Sequence, residues 1–320
     1  MEEGKRTYTS TLKGDDEKRR ASGADKEPFL YFMEALLSTS MNLPRKIFPT
    51  RVVSVTSGKG GVGKTNLVAN VAARLTFAGK RVAVIDGDLG LANLNLLLGV
   101  KPQYNLGDFF AGRQALSDIF ITSPLGMTVL PAANGEPWMT RLSHEQKFLF
   151  LSELENSLSD IDIILVDTAS GISDTATYFA SAAHENVLIV TPEPTSLASA
   201  SAFVKVLTSG RGGQRFWVVA NTVEGDTEAR QLFSALWRTV SQCFHPSFEL
   251  LGWIPRDPAL IRAVTQRQLV VKTAPESPSA QAFTRLARRL IELTAKGAQL
   301  KAGLQFFFRG VLAASLEEKR

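Results

Sequence analysis

The sequence predicts a doubly wound α/β fold with a mostly parallel sheet, and three observations predict it. From Arg51 onward, apolar runs of strand length alternate with longer stretches of helical periodicity, the spacing of strand–helix crossovers. The runs are apolar almost throughout, as burial on both faces of a sheet requires. The first of them, Val52-Val53-Ser54-Val55-Thr56, leads straight into a glycine loop and then into a segment where Leu67, Val68, Val71 and Leu75 recur at helical spacing. Right-handed crossovers put such a loop at the carboxyl end of a strand, where open α/β sheets bind their ligands.

Residues 1–28 mix Glu, Asp, Lys and Arg with Ser and Gly, a composition that reads as disordered. With their two charge signs and no apolar stretch, they are not expected to be a secretory leader. Phe29, Leu30, Phe32, Met33, Leu36, Leu37 and Met41 give residues 29–41 an apolar helical face, which Asn42-Leu43-Pro44-Arg45 ends. Residues 1–45 are thus an extension, residues 51–296 the main domain, and residues 297–320 a separate tail. In the main domain, strands are expected at 52–56, 81–86, 127–130, 161–166, 187–190, 216–220 and 249–254. Helices are expected at 64–78, 143–158, 174–183, 195–208 and 226–242, with two more at 257–267 and 279–295 closing the domain. The single cysteine, Cys243, excludes a disulfide framework and a cysteine-rich cluster, and its apolar neighbours Leu236, Trp237 and Val240 mark it as core. No apolar run approaches the length of a bilayer span. The expectation is a cytoplasmic protein, and its net charge of +5 permits anionic partners without singling one out.

The chemistry centres on Gly58-Lys59-Gly60-Gly61-Val62-Gly63-Lys64-Thr65, which fits the phosphate-loop pattern G-x-x-x-x-G-K-[ST]. Glycines let backbone N–H groups turn inward, and the helix N-terminus adds partial positive charge. Lys64 reaches β- and γ-phosphates, Thr65 holds Mg²⁺, and Asn66 follows in the first helical turn. The pattern does not require Lys59, which is placed to point out of the subunit. Two apolar runs end in carboxylates: Asp86-Gly87-Asp88 and Asp167-Thr168. Asp167 is a candidate metal residue, and of Asp86 and Asp88, which share a face of an extended segment, one can lie near the metal while the other positions the attacking water. The run 216–220 is followed by Asn221-Thr222-Val223-Glu224, without the lysine of a guanine-reading N-K-x-D motif. Asn221 is therefore expected at an adenine edge, with the rigid segment Pro255-Arg256-Asp257 packing on the base, and ATP/ADP is expected rather than GTP.

Together these residues resemble the MinD/ParA family of P-loop ATPases with a deviant Walker A loop, whose early lysine corresponds to Lys59. The segment from Asp86 to Asn95 resembles that family's switch I, most like its FlhG branch (also called FleN or YlxH), the regulators of flagellar number and placement. Thr191-Pro192-Glu193-Pro194-Thr195-Ser196 resembles the branch's strand-to-helix loop, and Asp167-Thr168-Ala169-Ser170-Gly171-Ile172-Ser173 its Walker B and switch II. The resemblance covers residues 50–316. It implies ATP hydrolysis with Mg²⁺, a homodimer in the ATP state, and Lys59 contacting the partner subunit's ATP. It implies Asp88 orienting the hydrolytic water, Asp167 serving the metal, and Asn221 with Arg256 flanking adenine. It also implies the flagellar GTPase FlhF and flagellar switch-complex proteins as partners. Septum-site MinD and DNA-partitioning ParA remain the alternative roles. Two departures stand out. Ala169-Ser170 replaces the expected Gly-Ala, which predicts a stiffer switch II and slower hydrolysis. No glutamine precedes Gln103, so the short D-Q-A motif that stimulates FlhF is missing.

In the tail, Leu300, Leu304, Phe307, Phe308, Val311 and Leu312 recur at i+3 and i+4, with Lys301, Gln305 and Arg309 on the other side. A helix over 299–313 is about 22 Å long, too short to span a bilayer and long enough to lie on one. Residues 299–316 are therefore expected either to bind the anionic inner-membrane surface, reversibly and from the cytoplasmic side, or to pack on their own domain. Membrane is the favoured anionic surface over DNA. Arg285, Arg288 and Arg289 lie on one helix, and their simpler reading is a solvated face.

Overall fold

The computed structural model describes residues 50–88, 94–131, 150, 153–154, 157–210, 215–241 and 247–296. The extension, Leu89 to Asn93 of the switch I segment, Cys243 and the 299–316 tail lie outside the described residues. The chain runs β1 (Arg51–Thr56), α1 (Lys64–Phe77), β2 (Val82–Gly87), then three short helices, α2 (Leu94–Leu98), α3 (Leu106–Phe110) and α4 (Leu116–Ile119). Next come β3 (Ile121–Thr122), β4 (Thr128–Leu130), β5 (Ile163–Thr168), α5 (Asp174–Ala182), β6 (Glu185–Val190), α6 (Pro194–Gly210) and β7 (Arg215–Val223). The series ends with α7 (Asp226–Ser241), β8 (Ser247–Pro255), α8 (Pro258–Thr265), α9 (Val270–Thr273) and α10 (Pro278–Lys296).

The strands form one eight-stranded sheet in the order β3-β4-β2-β5-β1-β6-β7-β8. Every neighbouring pair is parallel except β3–β4. From β1 the chain moves to one side, through β2, and from β5 it crosses β1 to β6 on the other. The carboxyl end of β1 is thus the switch point of the sheet, where ligand crevices form. Both faces are covered: Val53 and Val55 of β1 join the core under α1 and α10, while Val52 joins the opposite core with Ile164 and Val166. A third cluster, Phe203, Val204, Phe216, Val218 and Leu236, seats α6 and α7.

Several boundaries depart from the periodicity. The run expected at 161–166 is a strand over Ile163–Thr168, so Asp167 and Thr168 lie inside it. The reason lies at both ends. Asp162 accepts hydrogen bonds from the Arg81 backbone N–H at 2.9 Å and its guanidinium at 2.7 Å, which spends its carboxylate on the connection. At the other end the ladder continues, pairing Asp86 with Asp167 and Gly87 with Thr168. Likewise β7 extends through Asn221, which was expected just beyond the strand, because β8 follows it to Pro255. The short elements α2, α3, α4, α9 and β3 are too brief to show a period. At the start of α3, Asn105 and Asp108 form a capping box.

Candidate functional site

The loop after β1 is shaped by close approaches. A Cβ on Gly58 would stand 2.1 Å from the backbone carbon of Ser199 in α6, so only glycine fits. Gly61 and Gly63 take φ of 75° and 97°, the left-handed region that favours glycine. Gly63 is also the N-cap of α1 and carries no side-chain cap, which leaves the first N–H groups of that helix facing the loop. Lys64 is buried in the first turn, and its Nζ donates to Ser57 Oγ at 3.1 Å. Ser57 Oγ in turn donates to the carbonyl of Lys59 at 2.7 Å. Burial lowers the pKa of Lys64, while Asp167 and Asp88 oppose the shift.

Asp86 and Asp167 are register partners on adjacent strands, so their side chains share one face. They are 1% and 2% exposed, and Asp86 Oδ2 and Asp167 Oδ1 have no hydrogen-bond partner. Burial first, then the Asp167 charge, pushes Asp86 well above the usual carboxylate range, although the Asp88 N–H donates to Asp86 Oδ1 at 3.2 Å. Burial raises Asp167 to about 6, against the pull of the Thr65 hydroxyl and the Lys64 ammonium. Two dry, unpartnered carboxylate oxygens beside a threonine hydroxyl are a hard oxygen donor set of the kind Mg²⁺ takes. Among the described residues no group of three or more His, Cys, Asp and Glu could cage a metal alone. That suits a cation held by one or two carboxylates and completed by phosphate and water. Asp88 lies just past β2, half-buried, close enough to act on both Lys64 and Asp167.

The segment after β5 is tied to the loop. Gly171 N–H donates to the Ser57 carbonyl at 3.0 Å, and Thr168 Oγ1 donates to Val55 O at 3.0 Å and Ala169 O at 3.1 Å. Lys59 points elsewhere. Its Nζ pairs with Glu193 and donates to Thr195 Oγ1 at 3.2 Å, on the exposed rim where α6 begins. Ser57 and Ser199 were not singled out from sequence, and Thr168, Gly171 and Glu193 appeared there only as members of their segments, with no role of their own. Pairing across 113 positions, as for Thr168 and Val55, leaves no local signal.

On the base side, two of the expected residues also make contacts within the protein. Asn221 is buried beneath the loop. Its Nδ2 donates to Val62 O at 2.7 Å and its Oδ1 accepts from Thr222 N–H at 2.9 Å, so its amide braces the phosphate loop. Asp257 is buried, and its carboxylate is engaged within the protein. It caps α8 through Ala259 N–H at 2.8 Å and accepts Ser279 N–H at 3.0 Å and Ser279 Oγ at 2.6 Å. Burial alone would raise its pKa; the Ser279 and Ala259 hydrogen bonds outweigh it and hold the group below the usual range. Pro255 ends β8, and Arg256 is exposed with its backbone N–H on Val223 O at 3.1 Å.

A phosphate loop at the switch point of a parallel sheet, with its lysine buried against strand-end carboxylates, defines the class of P-loop nucleoside triphosphatases. Residues 49–291 match the family model described as "ParA: NUBPL iron-transfer P-loop NTPase", and the chain belongs to this ParA/MinD family of ATPases. It is 38% identical over 242 residues to the antiactivator FleN of Pseudomonas aeruginosa, covering 76% of this chain and 86% of that protein. It is 32% identical over 286 residues to the flagellum site-determining protein YlxH of Helicobacter pylori, covering 86% and 96%. Among solved structures, MinD of Pyrococcus horikoshii complexed with Mg-ADP superposes with a TM-score of 0.61 at 29% identity, covering 78% of this chain and all of that one. The MinC:MinD cell division complex of Aquifex aeolicus gives 0.63 at 28%, covering 76% and 96%.

Proposed function

We propose that the protein is an ATP-driven switch that dimerises around nucleotide, associates with the inner membrane and regulates flagellar number and placement. The observation that carries the switch is Lys59: it lies on the rim against Glu193 and Thr195, apart from the Lys64–Ser57 contact that marks its own phosphate site. A lysine so placed is available to a second subunit's ATP. In each subunit the loop N–H groups and Lys64 bind the phosphates, and Thr65, Asp86 and Asp167 hold Mg²⁺. Bound Mg²⁺ supplies charge neutralisation at the β- and γ-oxygens. Asp88 orients the attacking water. The uncommitted N–H of Asn221, with Pro255 and Arg256, borders the adenine.

The flagellar role rests on the FleN and YlxH likenesses, which exceed the 29% identity to the septum-site MinD of Helicobacter pylori. In that role FlhF and flagellar switch-complex proteins are the partners. A DNA-partition role has less support, because Arg285 stacks on Trp253 at 5.8 Å and Arg289 donates to Leu250 O at 2.9 Å. The iron-transfer activity named in the family model is not proposed, since the single cysteine supplies no thiolate set. Light scattering with ATP tests the switch. Asp88→Ala is expected to accumulate dimer without turnover, and Lys59→Ala to bind ATP as a monomer. A monomeric Asp88→Ala, or full dimerisation of Lys59→Ala, sinks the reading.

A further inference from the structure

The segment after β5 carries a hydroxyl that the site described so far does not use. Ser170 is exposed, and its Oγ makes no hydrogen bond among the described residues. Three contacts fix where it stands. Thr168 Oγ1 ties the strand end to the Val55 carbonyl at 3.0 Å. Gly171 N–H ties the next turn to the Ser57 carbonyl at 3.0 Å, with Gly171 at φ 79°. Between these two anchors, Ser170 Oγ lies 3.4 Å from the point a Cβ on Gly60 would occupy, directly against the phosphate loop.

The terminal phosphate can be located from the same contacts. Lys64 is the residue that reaches β- and γ-phosphates, and its Nζ sits 3.1 Å from Ser57 Oγ. Ser57 is also the residue to which Gly171 is bonded, so the lysine head group and the Ser170 turn converge on one point at the start of the loop. The second half of the loop, Gly63 onward, leads away into α1. A free hydroxyl at the first half therefore faces the phosphate farthest from the nucleoside.

We propose that Ser170 is a substrate-contacting residue of the ATPase, donating its Oγ–H to an oxygen of the terminal phosphate and so distinguishing ATP from ADP. The family pattern stated above has alanine at this position, which offers no such donor. The contact ties the segment after β5 to the triphosphate state through this side chain. No bond to phosphorus is made or broken by Ser170; it contributes one hydrogen bond to a charged oxygen, present with the triphosphate and absent with the diphosphate. The inference rests on the nucleotide-site reading of the Lys64 loop and adds a residue to it.

Calorimetric titration of the full-length protein with Mg²⁺ and either ADP or the non-hydrolysable analogue adenylyl imidodiphosphate separates the two ideas. In Ser170→Ala, affinity for the analogue is expected to fall about tenfold, the size of one hydrogen bond to a charged group, while ADP affinity stays within about twofold. Because Ser170 is exposed and its Oγ makes no hydrogen bond among the described residues, retained ADP binding also certifies the fold. Ser170→Thr, which keeps the hydroxyl, is expected to hold most of the analogue affinity. Unchanged analogue affinity in Ser170→Ala, or an equal loss for both nucleotides, overturns the Ser170 assignment while leaving the loop intact. If the wild-type protein binds neither nucleotide, or Lys64→Ala binds both normally, the nucleotide site itself is misplaced and Ser170 falls with it.

Discussion

Asp86 and Asp167 show what the site costs the nucleotide-free protein. Both carboxyls are buried with an oxygen unpartnered, and burial holds both pKa values up, Asp167 to about 6. An acid whose folded pKa lies above its unfolded value stabilises the fold below the unfolded pKa and loses that stabilisation as pH rises through the folded one. For Asp167 the window runs from its ordinary value of 3.8 to about 6, and Asp86 extends it upward. Asp257, held below 3.8, acts oppositely and only at lower pH. The nucleotide-free protein is therefore expected to melt several degrees higher at pH 5 than at pH 7.5. Asp167→Asn is expected to flatten that dependence and raise the melting temperature at pH 7.5, while abolishing turnover. A variant that melts lower at pH 7.5 shows that the charged pair was not a burden.

At the scale of elements, the phosphate loop works because α6 lies against it. Gly58 permits that approach, and its hypothetical Cβ meets the backbone C, O and N of Ser199 and Ala200. A backbone neighbour cannot rotate away, so Gly58→Ala is expected to destabilise the fold by about 1–3 kcal/mol or more and to weaken nucleotide binding. Shortening the neighbour as Ser199→Gly should not rescue it. Differential scanning calorimetry of the single and double variants reads this directly; full rescue would place the clash in the side chain. The same packing explains Asp257. Its position in a proline-framed loop suggested a base contact, but α10 brings Ser279 to within 2.6 Å and commits the carboxylate.

For the whole molecule, the order β3-β4-β2-β5-β1-β6-β7-β8 gathers the site residues at the carboxyl ends of the strands, and residues 299–316 are the proposed lipid contact. No helix among the described residues is long and apolar enough to cross a membrane. Deleting residues 299–320 is expected to leave ATP affinity unchanged and to abolish co-sedimentation with anionic vesicles. Full-length protein should pellet with them in ATP and much less in ADP, since the proposed dimer would present two copies of this segment at once. Rising salt should weaken the binding only in part, because buried phenylalanine area is not screened. Equal pelleting in ATP, ADP and nucleotide-free conditions would remove the switch.

The sequence by itself determined the alternation of strands and helices, the phosphate loop with its two lysines, and the three aspartates. Each of these is a local pattern: apolar runs, glycine spacing, a carboxylate at a strand end. It also carried the family resemblance through segments read in order. Only the tertiary structure decided that β5 ends two residues later than its apolar run, because the β2 ladder continues to Thr168. Only it gave Asn221 its brace on the loop and Asp257 its cap on α8, and placed Ser170 over Gly60. The physical reason is sequence separation. A side chain's local sequence fixes its backbone, whereas its hydrogen-bond partner 22 or 159 positions away is set by how the helices pack on the sheet.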